Sequence, residues 1–266
     1  MIRHNRYLII RRIIQIGLMI LFAGSNYYGW KVLMGNYSSA YVFESFYLSD
    51  PYAVLQMLAA GFMLQTDVLF GAVIVVLFYG LFAGRSFCSW VCPMNIVTDF
   101  AHWIRRKTGM NKVDMKIPVN RKLRYWILLL GILLSVITGV AAFEFVSPIS
   151  MLHRGIIFGM GMGIAAVIIV LFFDLFVIRN GWCGHICPLG GFYSLIGKHS
   201  LIRVNHKKEK CTECNLCFAV CPERQVLSII NKKSGSILFG ACNNCGRCIE
   251  VCDDNALKFG IIKKVK

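Results

Sequence analysis

Acidic side chains are scarce in this sequence. Only 13 of its 266 residues are aspartate or glutamate, and charged residues of both signs make up 16% of the chain. Soluble domains average about 25% charged residues, so this shortage excludes an ordinary soluble globular protein. Hydrophobic residues reach 57% of the chain, which places the sequence in the membrane class.

Four apolar stretches are long enough to cross about 30 Å of hydrocarbon as helices. They are residues 13–34, 66–84, 125–145 and 156–178. The first stretch follows a basic start and could also be a cleaved signal peptide. However, no clear small-x-small cleavage site follows it, and "NYYGW" is typical of an aromatic interface belt. We therefore expect an α-helical membrane protein whose residues 1–189 contain four transmembrane helices.

Basic residues are almost absent from one side of these spans. Of the 29 lysines and arginines, only Lys31 and Arg154 fall on the side of the first and third connecting loops, and the other 27 fall on the opposite side. The positive-inside rule assigns the basic side to the cytoplasm. We therefore expect a multi-pass protein of the bacterial inner membrane with both termini cytoplasmic. The net charge of +16 then reflects topology and attraction to anionic headgroups, and no nucleic-acid partner is needed.

All 12 cysteines belong to spaced motifs. Residues 211–222 read "CTECNLCFAVCP", and residues 242–252 repeat the spacing, with Asp253 where proline usually follows. This is the pattern of a two-cluster bacterial ferredoxin, in which the fourth cysteine of each run binds the other cluster. A zinc ribbon also uses Cys-x2-Cys pairs, but two sets of four at this spacing favour two [4Fe–4S] clusters.

The same spacing assigns the ligands of the two clusters. One cluster takes Cys211, Cys214, Cys217 and Cys252, and the other takes Cys242, Cys245, Cys248 and Cys221. These residues belong to a predicted C-terminal module, residues 190–266, with a small α+β two-cluster ferredoxin fold. Because its predicted side is the reducing one, structural disulfides are not expected.

A second cysteine pattern occurs twice in the membrane part. "FCSWVCPMN" at 87–95 and "WCGHICPLG" at 182–190 each follow a predicted helix pair and share the spacing Cys-x3-Cys-Pro. The two helix pairs are expected to be related by an approximate two-fold axis along the membrane normal. This symmetry would bring the four thiols together, and four thiolates are the usual ligand set of one cluster. The pattern thus predicts a third iron–sulfur centre on Cys88, Cys92, Cys183 and Cys187.

Three alternatives remain for this repeat. Small cysteines can simply pack at helix ends. The prolines Pro93 and Pro188 can mark the start of new segments. The thiols can also form dithiol pairs used for docking or thiol exchange. His185, between the two thiols of the second copy, is expected to be a local hydrogen-bonding residue, since Trp90 occupies the same place in the first copy.

Four spans, two Cys-x3-Cys-Pro motifs and a double ferredoxin module together resemble the NapH-type membrane quinol dehydrogenase subunits of periplasmic nitrate reductase systems. The likeness covers essentially the whole chain and includes "SPISMLHRG" between the third and fourth spans. It implies a membrane electron-transfer subunit that oxidises quinol and passes electrons through iron–sulfur clusters. The implied partner is a periplasmic iron–sulfur protein of the nitrate reductase system, and the implied activity is that of an oxidoreductase component of a larger complex.

An assembly or maturation factor for a respiratory metalloenzyme is the alternative function. Relatives that assist copper-oxidase assembly carry an extra domain after the clusters, and relatives that serve nitrous-oxide reduction carry one before the helices. The sequence has neither extension, which favours the nitrate-type subunit.

Quinol oxidation requires a group that accepts protons near the membrane edge. Ionisable residues near membrane depth are often functional. The candidates are therefore Glu144, at the outer end of the third span, and His153 and Arg154 in the loop that follows. An ion pair between Glu144 and Arg154 at the interface is the alternative. Asp174, near the inner end of the fourth span, could serve an inner site or pair with Arg85 or Arg179.

The distribution of basic residues makes the topology testable. A periplasm-active reporter fused after Ser39 should be active, and a cytoplasm-active reporter fused after Lys266 should be active, because the basic side stays inside. A periplasmic C-terminus would overturn this topology and the assignment of the cysteines to the reducing compartment.

Overall fold

The computed structural model describes residues 5–109, 120–158 and 161–262. Its helices are α1 (Arg6–Tyr28), α2 (Pro51–Ala59), α3 (Thr66–Leu77), α4 (Phe87–Trp90), α5 (Met94–Lys107), α6 (Leu123–Thr138), α7 (Ala142–Val146), α8 (Pro148–Phe158), α9 (Met162–Phe172), α10 (Pro188–Ile196), α11 (Leu216–Val220) and α12 (Arg247–Glu250). Its strands are β1 (Leu33–Gly35), β2 (Ser39–Val42), β3 (Phe46–Ser49), β4 (Ile202–His206), β5 (Gly235–Ser236) and β6 (Leu257–Ile261). π-Helical turns lie at Phe78–Ala83, Phe173–Val177 and Trp182–Ile186.

The chain divides into two compact units. The helical unit contains residues 16–76 and 92–192, and the cysteine-rich unit contains residues 1–15, 77–91 and 193–266. The eight ferredoxin-type cysteines and Cys88 belong to the cysteine-rich unit, and Cys92, Cys183 and Cys187 belong to the helical unit.

Within the described residues, two helical stretches are long and apolar enough to cross a membrane, Arg6–Tyr28 and Thr66–Trp90. Shorter apolar helices lie at Leu123–Thr138 and Gly163–Val177. Large apolar side chains on these helices, such as Ile13, Phe70 and Ile169, are exposed. Helices that expose apolar side chains in this way fit an environment of lipid rather than water.

The third and fourth predicted spans differ in extent from the helices that form there. Helix α6 ends at Gly139, which adopts a left-handed conformation (φ 66°), and the rest of that apolar run includes the short helix α7. The fourth run begins within α8, a separate helix that packs against α9. The length of an apolar run can be read from the sequence, but a helix end inside the run cannot. Here the helix ends at a glycine with positive φ.

The aromatic segment between the first two apolar helices folds in the helical unit. It forms an antiparallel sheet of order β1-β2-β3, with Ser39 opposite Ser49, and continues into α2. The Asp50 carboxylate caps α2 by accepting from the Tyr52 amide (3.4 Å), and Pro51 opens the helix. An aspartate cap followed by proline is a favoured helix start.

Helix α2 packs against α6 through polar as well as apolar contacts. The Tyr52 hydroxyl donates to the carbonyl of Leu128 (3.2 Å). The Gln56 side chain is fully buried and accepts from the Ser135 hydroxyl (3.3 Å) and the Phe143 amide (2.9 Å). These partners satisfy a buried amide that would otherwise be costly.

The cysteine-rich unit contains an antiparallel sheet of order β5-β4-β6. The sequence "NALKFG" supplies most of β6, in which Leu257 pairs with His206 and Phe259 with Val204. Its buried core combines apolar side chains with thiols: Val204, Val226, Leu227, Ile230, Ile237, Leu257, Cys217, Cys221, Cys242 and Cys248. The thiols are therefore part of the core itself.

Residues 83–90 are attached to the loop that carries Cys242 and Cys245. The Ser89 hydroxyl donates to the Asn243 carbonyl (2.6 Å), and the Trp90 indole donates to the Asn244 carbonyl (3.0 Å). The Asn244 side chain donates in return to the Ala83 carbonyl (3.1 Å). Arg85 donates to the Ala241 carbonyl (3.3 Å) and to the Glu223 carboxylate (2.8 Å).

The first turn of α1 is bound to the same unit. The Glu250 carboxylate accepts from the backbone amides of Tyr7 (2.6 Å) and Leu8 (3.0 Å). A carboxylate at this position satisfies two amides that lack helical partners and complements the positive end of the helix dipole.

We expect the buried Arg85–Glu223 pair to stabilise the attachment of residues 83–90. Replacing Arg85 with Met leaves the Glu223 carboxylate buried without its cation, a change that typically costs about 3–5 kcal/mol. The temperature at which the protein loses its iron–sulfur absorbance should fall in Arg85→Met and in Glu223→Gln. The double variant should lose less than the sum of the two single changes.

Arg224→Met is the matched control, because Arg224 lies in the same unit and is exposed. Equal thermal losses in Arg85→Met and Arg224→Met would show that the buried pair contributes no stability.

Candidate functional site

Four thiols line one cavity of the cysteine-rich unit. Its lining includes Cys211, Cys214, Cys217 and Cys252. The loop between the first two of these cysteines is bound to the loop after the last, since the Asp254 carboxylate accepts from the Thr212 hydroxyl (2.6 Å) and amide (3.2 Å). Glu213 and Asn215 adopt left-handed conformations in this tightly wound loop. The structure thus brings together the set of four cysteines that the spacing assigns to one cluster.

The other four thiols are buried close to one another. Burial raises the pKa of Cys221, and negative charge on Cys245 and Cys242 raises that pKa further. Burial also raises the pKa of Cys248, with Cys245, Cys242 and Cys221 adding to the effect. These mutual effects require that the Cys221 thiol lies near the thiols of the second run, although it belongs to the first run.

The raised pKa values have a chemical consequence for metal binding. Burial raises the pKa of Cys242 to about 11 and that of Cys217 to about 11, so as free thiols both would be protonated at neutral pH. Iron must displace these protons, which links cluster binding to folding of the unit. Each thiolate of a [4Fe–4S] cluster binds a different iron. In the described part of the chain, no three Cys, His, Asp or Glu side chains gather around a single ion position, the arrangement of a zinc ribbon.

The two Cys-x3-Cys-Pro motifs have similar secondary structure before and after them. A π-helical turn begins at Phe78 before Cys88 and at Phe173 before Cys183, with the same separation in each copy. A helix begins within two residues of the second cysteine of each motif, α5 at Met94 in one copy and α10 at Pro188 in the other. In the helical unit, α5 packs against the turn Trp182–Ile186 that carries Cys183. Cys92 and Cys187 are buried there.

Each motif has a buried arginine beside it. In the cysteine-rich unit, the Arg85 guanidinium is within hydrogen-bonding reach of the Cys88 sulfur. In the helical unit, Arg124 donates to the carbonyl of Gly184, which lies between Cys183 and Cys187 (3.5 Å). A neighbouring cation favours the thiolate form of cysteine, which is the form that binds metal.

The candidate quinol residues lie in the helical unit. Glu144 accepts from the hydroxyls of Ser38 (2.8 Å) and Ser150 (2.8 Å), and among the described residues it makes no ion pair with Arg154, which is exposed. His153 is buried in α8, with its ring edge-on to Phe22 and to Tyr37. The structure therefore places Glu144 and His153 in polar and aromatic surroundings but leaves Arg154 at the surface.

Asp174 has a local structural contact. Its carboxylate accepts from the Trp182 amide (2.9 Å), and its carbonyl accepts from the buried Arg105 (3.1 Å). Arg105 was not among the arginines expected to pair with it. Because the carboxylate holds the turn that carries Cys183, the geometry relates Asp174 to the second motif.

The sequence reasoning missed Tyr37 and Asp50. Burial raises the pKa of Asp50 to about 7, and the charge of Glu144 adds to that shift. Burial also raises the pKa of Tyr37, with an added effect of Cys92. The "SDPY" segment contains a helix-start signal that could have pointed to Asp50, but no local pattern distinguishes Tyr37 from the many other aromatics nearby.

The fold and these thiol sets define a ferredoxin-type iron–sulfur electron-transport protein with apolar helices that could cross a membrane. A family model described as "4Fe-4S binding domain" matches residues 64–111 and 158–208, and a "4Fe-4S dicluster domain" model matches residues 203–253. The sequence is 41% identical to the ferredoxin-type protein NapH of Haemophilus influenzae, over 96% of this chain and 90% of that protein. The chain belongs to the NapH-type family of ferredoxin-type proteins.

Other relatives are equally similar. NapH of Escherichia coli is 38% identical over 95% of this chain and 88% of its own length. The methylamine utilization ferredoxin-type protein MauN of Paracoccus denitrificans is 43% identical over 90% of this chain and 84% of its own length. No solved structure matches the chain.

Proposed function

We propose that this protein is a membrane electron-transfer subunit that oxidises quinol and passes electrons through iron–sulfur clusters toward a periplasmic nitrate reductase. The observation that carries the proposal is the attachment of residues 83–90 to the loop that holds Cys242 and Cys245. Three of these hydrogen bonds are accepted by main-chain carbonyls of the loop, and they do not depend on the identity of the loop side chains. They hold the segment that contains Cys88 beside the proposed ligands Cys242 and Cys245.

Each cysteine set has a place in this proposal. The two [4Fe–4S] clusters take Cys211, Cys214, Cys217 and Cys252, and Cys242, Cys245, Cys248 and Cys221. Iron–sulfur clusters supply one-electron carriers whose potentials depend on burial and hydrogen bonding. The first set includes the exposed Cys214, whereas Cys221, Cys242, Cys245 and Cys248 are all buried. The first set is therefore the natural point of electron exchange with solvent-side partners.

The membrane arrangement is part of the proposal: four spans in two repeated helix pairs, with both termini in the cytoplasm. Two matches of one family model, at residues 64–111 and 158–208, support the repeat. The same matches support a third iron–sulfur centre on Cys88, Cys92, Cys183 and Cys187, since each matched stretch contains one Cys-x3-Cys-Pro motif. The buried Arg85 and Arg124 would balance the negative charge of those thiolates.

Glu144, His153 and Arg154 are the proposed quinol-site residues. Burial lowers the pKa of His153, so its imidazole is neutral near pH 7 and can accept a proton. Tyr37 and Tyr52 lie within electrostatic reach of Cys92 and Cys187, because the charges of those cysteines raise the pKa values of the two tyrosines. This supports entry of electrons from the quinol residues at the second thiols of both motifs.

Electron transfer in methylamine utilization is the second candidate function. The observation that favours it is the 43% identity to MauN over 90% of the chain. Complementation by this protein distinguishes the two functions. The protein is expressed in a strain that lacks its own NapH, which is tested on nitrate, and in a strain that lacks MauN, which is tested on methylamine.

Iron analysis tests the third centre. Two [4Fe–4S] clusters account for about eight irons per chain, so anaerobically purified protein should contain more than that if the third centre exists. Cys88→Ser with Cys183→Ser should remove the excess and leave about eight irons, since the other ligands are intact. Wild-type protein with eight irons and four free thiols would exclude the centre and favour the dithiol alternative.

Quinol-driven reduction tests the proposed activity. Reduced ubiquinone or menaquinone analogues should bleach the iron–sulfur absorbance of the wild-type protein under anaerobic conditions. Glu144→Gln keeps the shape of the side chain but removes its charge, so the rate should fall by about 10- to 100-fold at constant iron content. His153→Ala should have a similar effect.

Glu44→Gln is the matched control, because Glu44 is an exposed carboxylate of the same helical unit. Unchanged rates in both Glu144→Gln and His153→Ala would move the quinol site elsewhere, with Asp174 as the next candidate. A wild-type protein that quinol cannot reduce would favour the assembly-factor alternative.

A further inference from the structure

The helical unit contains buried polar atoms without hydrogen-bond partners. Among the described residues, the Tyr37 hydroxyl, the His153 Nε2 atom and the Ser49 hydroxyl are buried and have no partner. His153 is 5% exposed and Ser49 is 2% exposed. Buried polar groups are nearly always bonded in native proteins, so these atoms are candidates for bonding a polar ligand.

Ring contacts connect two of these residues directly. The rings of Tyr37 and His153 stand edge to face with centroids 5.7 Å apart, and Phe22 packs against both, at 5.0 Å from Tyr37 and 5.3 Å from His153. The three rings form an apolar wall that carries one phenol hydroxyl and one imidazole nitrogen. An aromatic ring with a hydroxyl on its edge, such as a quinol head group, has the matching chemistry.

Hydrogen bonds join the segments beside this wall to the Glu144 carboxylate and to the backbone of Asp50. Glu144 is bound by the hydroxyl of Ser38, the neighbour of Tyr37, and by that of Ser150, one turn before His153 on α8. The backbone amide of Asp50 donates to the Ser38 carbonyl (2.8 Å). Burial disfavours the charged form of Asp50, and the charge of Glu144 disfavours it further. A carboxylate pair of this kind readily takes up one proton.

We propose that the Tyr37 hydroxyl and His153 Nε2 together bind one oxygen of the quinol head group, and that Asp50, paired with Glu144, receives a proton released on oxidation. This assignment rests on the proposed function and specifies its site. It adds two residues, Tyr37 and Asp50, and gives Arg154 no contact with the head group.

The protons and electrons released by quinol oxidation are all accounted for in this step. Oxidation of one quinol breaks two O–H bonds and yields one quinone, two protons and two electrons. One proton goes to the neutral His153 Nε2, and the other goes to the Asp50–Glu144 pair. The two electrons pass singly to oxidised iron–sulfur centres, which are the electron acceptors of the proposed function.

The groups that face Asp50 determine its response to pH. Glu144 on α7 raises its pKa, whereas the Tyr52 amide at the start of α2 lowers it, and burial has the largest effect. A carboxyl group with a pKa of about 7 is protonated below that pH and cannot then accept a proton. The rate of quinol oxidation should therefore fall as the pH drops through about 7.

Two variants separate head-group binding from proton transfer. Tyr37→Phe removes the hydroxyl but keeps the ring that packs on Phe22 and His153. Asp50→Asn removes the proton acceptor but keeps a side chain that caps helices as well as aspartate does. The matched controls are Tyr41→Phe, a tyrosine of β2 whose hydroxyl donates to the Glu44 carbonyl, and Asp67→Asn, an exposed aspartate.

The first measurement is binding of a fluorescent alkyl-hydroxyquinoline N-oxide, a quinol analogue, to the full-length protein in lipid nanodiscs. Tyr37→Phe should weaken binding by about tenfold, the effect of one lost hydrogen bond, while Asp50→Asn and both controls bind like the wild type. The second measurement is the pH profile of quinol-driven cluster reduction. Asp50→Asn should lose the inflection near pH 7, and Glu144→Gln should shift it to lower pH because a repelling charge is removed.

The outcomes distinguish failure of this assignment from failure of the proposed function. If the wild type binds the analogue and is reduced by quinol, wild-type affinity in Tyr37→Phe or an unchanged inflection in Asp50→Asn overturns the assignment alone. If the wild type neither binds the analogue nor is reduced by quinol, the orphaned polar atoms bind water only, and the proposed function fails with the assignment. Iron content, measured on every variant, identifies any that lose the clusters.

Discussion

Negative charge in an apolar interior is the constraint on which this structure depends. Thiolates that bind iron carry charge into a region where isolated charge is very costly. The described residues include five buried arginines, Arg11, Arg85, Arg105, Arg124 and Arg203, against the buried carboxylates Asp174 and Glu223. A surplus of buried cations is unfavourable alone, but it balances clusters whose four thiolates leave them net negative. The arginines and the proposed clusters therefore stabilise each other.

This balance also affects redox chemistry. Arg203 lies within electrostatic reach of Cys242, and it donates to the carbonyls of Gly197, Lys198, Ser200 and Phe239, which fix its position. A fixed positive charge beside a cluster ligand favours the reduced, more negative state of that cluster. Because net charge and hydrogen bonding set cluster potentials over a wide range, Arg203 would influence the potential of a cluster bound by Cys242.

Local patterns made much of the cysteine chemistry predictable. The ligands of a ferredoxin cluster lie mostly within a dozen residues, so their spacing is readable without any fold. The attachment of Ser89 and Trp90 to Asn243 and Asn244 is different, because it joins residues 154 positions apart, and no local pattern predicts it. Both the pairing of Asp50 with Glu144 and the contact of Tyr37 with His153 depend on packing across the chain in the same way.

Hydropathy was informative about the existence of apolar helices and less so about their ends. The positive-inside rule counts arginines near the cytoplasmic side, but it cannot distinguish an arginine at a lipid surface from one inside the protein. Arg85, Arg105 and Arg124 all entered that count, and all three are buried. Burial of a long cation depends on acceptors such as the carbonyls of Ala241, Asp174 and Gly184, which come from other parts of the chain.

The contact between Glu250 and the first turn of α1 has a consequence for biogenesis. The ribosome makes Leu8 early and Glu250 only 242 residues later, so α1 is synthesised long before its carboxylate partner exists. Helix α12, which ends at Glu250, contains Cys248, a proposed cluster ligand. The first helix therefore gains its cap only when the last cysteine run has folded, and insertion of the proposed cluster would favour that folded state. A chain that fails to receive its cofactors would keep a loose N-terminus, a feature by which quality-control proteases could distinguish it from the mature protein.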